Sequence, residues 1–77
     1  MDTDDEIDAS GLLCPLPVLR LRKKMKYLGK GLIIKIFSDD PAAEIDIPHF
    51  CIEENHKILK KYKEENKSGV TFYIKKC

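Results

Sequence analysis

Cys14 is followed directly by Pro15 and, after Leu16, by Pro17. Proline donates no backbone hydrogen bond, so two prolines one residue apart are harmless in a helix only within its first turn. They mark a helix start and put Cys14 at its N-cap. A helix amino terminus carries about half a positive charge and several free N–H groups. Both favour a thiolate over a thiol, and cysteines so placed fall well below the free value of ~8.5. The bases from Arg20 onward add a positive field, weakened by solvent screening. A persulfide is more acidic than its parent thiol, and its anion gains from the same features. The chemistry expected here is an exposed, nucleophilic Cys14 that carries a sulfur atom. The competing reading is a buried capping cysteine beside prolines that only start the helix; cysteine is not among the preferred N-cap residues.

The other reactive side chains are less ordered in pattern. The chain has three cysteines, Cys14, Cys51 and Cys77, an odd number that does not suit a fully paired disulfide framework. Cys-x-x-Cys does not occur, which removes the main sequence support for a zinc ribbon or a thioredoxin-type motif. Cys51 falls on an apolar helix face and reads as a core residue. Cys77 reads as an exposed terminal thiol able to form adventitious dimers. His49, Cys51 and His56 have irregular spacing and lack a nearby fourth ligand, so no metal site is expected from them. His56 reads instead as a capping or hydrogen-bonding residue. Arg20, Arg22, Lys23, Lys24, Lys26 and Lys30 follow one another with no acid between them. They form either a solvated helix face or, at Arg20, Arg22 and Lys23, a docking patch for an acidic partner.

The elements that must position these groups fit in 77 residues, enough for one domain over residues 1–77. The chain is 43% apolar and 35% charged, which suits a globular fold rather than a disordered chain. Fourteen basic and thirteen acidic side chains leave a net charge of +1, so the chain as a whole is no polycation. No apolar run approaches the ~20 residues that span a bilayer. The start, MDTDDEID, is acidic and lacks the basic and apolar parts of a signal peptide. A cytoplasmic address is therefore expected, with residues 1–5 as a disordered tail.

A short strand is expected near Glu6–Ala9, with a bend at Gly11. Val18, Leu21, Met25 and Leu28 share one face of a helix over about 15–28, ended by Gly29 and Gly31. Leu32–Phe37 reads as a buried strand. Asp39-Asp40-Pro41 resembles a capped helix start with proline at the first helical position. The inner face of that helix would be Ala43, Ile47, Phe50 and Cys51, with a kink or break at Pro48. A strand over about 56–62 would place Ile58 and Tyr62 on one face; the dominance of Lys, Glu and Leu there also suits a helix. A turn at Lys67-Ser68-Gly69 then leads to a strand in which Val70, Phe72 and Ile74 alternate with Thr71, Tyr73 and Lys75. The order β-α-β-α-β-β predicts an α/β two-layer sandwich, with two helices on one face of a four-stranded mixed sheet.

At Asp8, Gly11, Cys14, Pro15 and Pro17 the chain resembles the TusA/SirA family of small sulfur carriers. The likeness continues through Gly31, Asp39-Asp40-Pro41-Ala42, Asp46-Ile47-Pro48, Phe50-Cys51 and His56. This resemblance implies the same sandwich. It also implies that Cys14 is the active residue, with Asp8, Gly11, Pro15 and Pro17 as motif support. It further implies that a cysteine desulfurase supplies persulfide sulfur and that a downstream relay protein takes it. In the branch most resembled, the sulfur ends in 2-thiouridine at the tRNA wobble position; relatives feed molybdenum-cofactor synthesis or sulfur oxidation. Leu16 stands where that branch often has an acid, which bears on partner choice.

The implied carrier is a stoichiometric sulfurtransferase that needs no cofactor, binds no nucleic acid directly and acts as a monomer. The alternative from another class is a regulatory or RNA-binding module acting through the basic helix face. Scarce aromatic side chains argue against the RNA version.

Overall fold

The structure, a computed structural model, describes residues 2–63 and 68–77. Its elements follow in chain order as β1 (Asp5–Asp8), α1 (Leu16–Tyr27), β2 (Ile33–Ser38), α2 (Ala43–Glu53), β3 (Lys57–Tyr62) and β4 (Val70–Lys75). The sheet order is β1-β2-β4-β3. β1 runs parallel to β2, from Asp5 opposite Ile34 to Asp8 opposite Phe37. β4 is antiparallel to both β2 and β3. The expected mixed sheet with two helices is thus the observed one.

Alternation along the strands decides which face is covered. Ile7, Ile34, Ile36, Val70, Phe72 and Ile74 point to one face and are buried. Glu6, Asp8, Lys35, Phe37, Thr71 and Tyr73 point to the other and stay open or half-open. Both helices close the first face, α1 with Pro17, Leu21 and Met25, and α2 with Ala43, Ile47, Phe50 and Cys51. Burying one such aliphatic or aromatic side chain stabilises by about 1.5–3 kcal/mol. The helices are therefore held by packing rather than by caps, and neither has a side-chain cap hydrogen bond.

Several local expectations shift. The N-cap of α1 is Pro15, so Cys14 lies one residue before it, and the Cys14–Pro15 peptide bond is cis. Pro17 does more than start the helix. It is fully buried four residues before Leu21, while Val18 and Leu28 only flank the core. α2 begins at Ala43, two residues later than an Asp40 cap with Pro41 as first residue implies. Asp40 caps the turn before it, accepting the Ala42 N–H at 3.1 Å.

α2 also runs unbroken through Pro48. A proline removes one helical hydrogen bond there, and burial of Ile47, Phe50 and Cys51 on either side keeps the helix on the sheet. In β3 the register shifts between Ile58 and Lys60, which makes Leu59 an extra residue. The bulge turns the strand over. Ile58 pairs with buried Ile74 and Tyr62 with half-exposed Thr71, so the two lie on opposite faces rather than one.

The acidic start is ordered further out than a tail through residue 5. β1 opens at Asp5, the Asp4 N–H reaches the Ile33 carbonyl at 2.7 Å, and the Asp4 carboxylate takes the Ile33 N–H at 2.8 Å. Of the expected turn at 67–69, Lys67 lies outside the described residues. Gly69 sits at φ +122°, where a Cβ would come within 2.7 Å of the Ser38 carbonyl oxygen. Only glycine satisfies both conditions.

Candidate functional site

Two adjacent parallel strands deliver their chains to the same end of the sheet. The segment after β1 therefore lies beside the segment after β2, and side chains of one can hold the backbone of the other. Asp39 does this at Gly11, whose N–H points at both carboxylate oxygens, 3.0 and 3.1 Å away. Asp40 does it at Cys14, accepting its N–H at 2.5 Å. The Asp40 N–H is in turn donated to the Ser38 hydroxyl, a buried group, at 3.2 Å. Gly11 has φ +76°, a turn that side chains with a Cβ rarely adopt, and it swings the chain from β1 toward these carboxylates.

Asp8 starts the same segment. Its carboxylate accepts the Ser10 N–H at 3.0 Å, and hydrogen bonds from Ser10, side chain first and backbone second, hold its pKa below the usual value.

Cys14 emerges from this stitched segment with an exposed thiol. Its Sγ lies 2.9 Å from Oδ2 of Asp46, in the first turn of α2. That contact reverses the expected electrostatics. The hydrogen bond to Asp46 raises the Cys14 pKa above its ordinary value, and desolvation and the negative charges of Asp46 and Asp40 act in the same direction. That hydrogen bond and those charges favour the thiol form, against the pull of the helix terminus. Asp39, Asp40 and Asp46 are the residues that chain reading left without a role at the site. The available signal was Asp39-Asp40 closing the strand parallel to β1.

The basic run does not act as one patch. Arg22 pairs with Glu54 at 3.1 Å and lies 4.9 Å from the Phe50 ring centroid, over the side of α1 that faces α2. Arg20, Lys23 and Lys24 turn the other way. They line a groove of about 720 Å³ together with Asp5, Glu6 and Asp8 of β1, and Lys24 pairs with Asp5 at 3.3 Å.

His49, Cys51 and His56 are likewise dispersed. His49 is exposed and pairs with Glu53 at 2.9 Å, and Cys51 is buried in the core. His56 packs its ring 5.7 Å from Phe50. Its backbone N–H bonds the Cys51 carbonyl at 2.8 Å, closing α2, while its Nδ1 has no hydrogen-bond partner among the described residues. Burial, and then the nearby charge of Lys76, lower its pKa. Among the described residues no three His, Cys, Asp or Glu side chains are grouped to hold a metal ion, and no helix is long and apolar enough to cross a membrane.

The three thiols differ sharply in environment. Burial pushes the Cys51 thiol up to about 11. Cys77 follows Lys75, which pairs with Ile33 at the start of β2, whereas Cys14 follows the end of β1, level with Phe37. About 13 Å of strand separates those levels, too far for a disulfide, whose Cα atoms stand about 4.4–6.8 Å apart. Iodoacetamide is expected to label Cys14 and Cys77 in the native protein and Cys51 only after denaturation. Diamide is expected to give no internal crosslink between Cys14 and Cys77. Peptide mass mapping reads both outcomes, and native labelling of Cys51 would contradict its burial.

A family model described as Sulfurtransferase TusA matches residues 5–76. Sulfur carrier protein TusA of Pseudomonas syringae pv. syringae (strain B728a) is 38% identical over 65 residues, covering 84% of this chain and 77% of the relative. The protein of the same name from Pseudomonas entomophila (strain L48) is 39% identical over 61 residues, covering 79% of this chain and 76% of the relative. The crystal structure of a SirA-like protein from Desulfitobacterium hafniense superposes with a TM-score of 0.81 at 22% identity, covering 92% of this chain and 95% of that one. This last likeness concerns the fold.

Proposed function

The chain belongs to the TusA sulfurtransferase family, and from that premise we propose that it carries sulfur as a persulfide on Cys14. The observation that carries this reading is the exposed Cys14 thiol, held at the start of α1 by backbone clamps from Asp39 and Asp40. The donor is a protein persulfide of a cysteine desulfurase. The Cys14 sulfur attacks the outer sulfur of the donor, and the new S–S bond forms as the donor S–S bond breaks. The electron pair stays on the donor cysteine, which takes up the proton. No net oxidation occurs, so the step asks for no metal or organic cofactor on the carrier. A thiolate on the next relay protein repeats the exchange.

Destination follows the branch the motifs resemble: 2-thiouridine at the tRNA wobble position, in the cytoplasm. Molybdenum-cofactor synthesis and sulfur oxidation are the other destinations. Asp8, Gly11, Pro15 and Pro17 shape the segment that presents Cys14. The carrier acts as a monomer that shows one thiol to successive protein partners. Leu13 and Leu16, which flank Cys14 in the chain and are exposed, suit such partners. RNA is disfavoured as a direct partner, because Asp5, Glu6 and Asp8 share the groove with Arg20, Lys23 and Lys24 and offset their charge.

The test is incubation with a cysteine desulfurase, its pyridoxal phosphate and cysteine, read by intact-protein mass. A gain of one sulfur atom, reversed by reductant, is expected; no gain with a desulfurase of the same organism would reject the donor. Of Arg20, Arg22 and Lys23, the docking surface in this reading keeps Arg20 and Lys23, which share the groove side of α1, while Arg22 lies on the other side against Glu54. Arg20→Glu with Lys23→Glu is expected to raise the half-saturating donor concentration several-fold while iodoacetamide labelling of Cys14 stays unchanged. If loading were indifferent to this reversal, docking would lie elsewhere.

A further inference from the structure

The carboxylate against the reactive sulfur is out of place for a site that needs a thiolate. Asp46 sits in the first turn of α2, Cys14 just before α1, and the two meet because both helices start from the same end of the sheet. The groups facing the sulfur are Asp46 from α2 and Asp40 from the segment after β2. Two cations of α1 are engaged elsewhere, Arg22 with Glu54 and Lys24 with Asp5. Among the described residues, no cation forms an ion pair with Asp46.

We propose that Asp46 is a positioning residue for Cys14: it holds the proton on the empty carrier's thiol, and a cationic group on the docked donor releases it by pairing with the carboxylate. This rests on Cys14 being the sulfur-carrying residue. The empty carrier then meets small oxidants and alkylators as a poorly nucleophilic thiol. Docking turns the nucleophile on. With Asp46 paired, the thiol proton passes to solvent, and the thiolate attacks the donor's outer sulfur as described above. The raised pKa of Cys14, caused first by the Asp46 hydrogen bond, agrees with this geometry.

The experiment has two readings on full-length wild type, Asp46→Asn and Asp46→Glu. The first is the rate of Cys14 alkylation by iodoacetamide against pH, followed on the Cys14 peptide so that Cys77 does not contribute. The Asn variant is expected to react several-fold faster near neutral pH, with its inflection moved to lower pH, and the Glu variant to restore the wild-type curve. Circular dichroism and protection of Cys51 confirm the fold. An unchanged curve in a folded Asn variant would overturn the proton-holding role.

The second reading is loading by a desulfurase persulfide, where the Asn variant is expected to need several-fold more donor for half-saturation. If the curve moved and half-saturation did not, the donor cation would be refuted. The alkylation reading needs no donor, so it fails or succeeds independently of the sulfur-carrier assignment, which Cys14→Ser tests.

Discussion

Cys14→Ser is expected to abolish sulfur uptake from a desulfurase completely, with folding stability within about 0.5 kcal/mol of wild type. The loss is total because serine offers no sulfur to form the S–S bond. The other two thiols do not replace it: Cys51 is buried with its pKa pushed up to about 11, and Cys77 sits at the far end of the sheet. Stability is spared because the Cys14 side chain is exposed and its polar contact is with Asp46, which a hydroxyl can also serve. Intact mass and the thermal midpoint, measured on the same samples, check both halves. Sulfur gain in the serine variant, mapped to Cys77, would move the site and end the Cys14 assignment.

Phe72→Ala is expected to cost about 3–5 kcal/mol, the usual range for emptying a buried aromatic position. Phe72 is 1% exposed at the middle of β4, a strand paired on both sides. A domain of this size has a total stability of about 4–12 kcal/mol, so the variant sits near its unfolding threshold. The informative control is Tyr73→Ala, one residue on and on the open face, half-buried with Lys35 5.9 Å from its ring centroid. It is expected to cost well under half as much. Urea titration separates the two, and equal losses would mean that the helices do not cover the face assigned to them.

Those two residues also show what could be read from the chain. The alternation of Val70, Phe72 and Ile74 against Thr71, Tyr73 and Lys75 is local, so strand and buried face were both legible. The paired prolines located the start of α1 to within one residue for the same reason. β3 was legible as a strand only beside a helical alternative, and its facing was not, because the extra residue at Leu59 exists only in its pairing with β4. The unbroken helix at Pro48 reflects burial overriding a local preference.

At the site, Cys14 stood out by its prolines. Its partner Asp46 lies 32 residues away and Asp40 26, and no short pattern encodes those contacts. They arise once β1 and β2 lie parallel and side by side. The expected lowering of the Cys14 pKa is opposed by Asp46 and Asp40, because the helix terminus was visible in sequence and those carboxylates were not.

The Cys14 thiol is exposed. A sulfur atom loaded there would be open to solvent, and every small thiol in solution would compete with the intended acceptor to take it. Fidelity of delivery is then a matter of timing. The cargo's half-life against bulk glutathione-like reductants sets the longest permissible journey between partners. A carrier of this shape would lose little when both partners are abundant or held close together, and would leak sulfur in proportion to the wait when they are scarce.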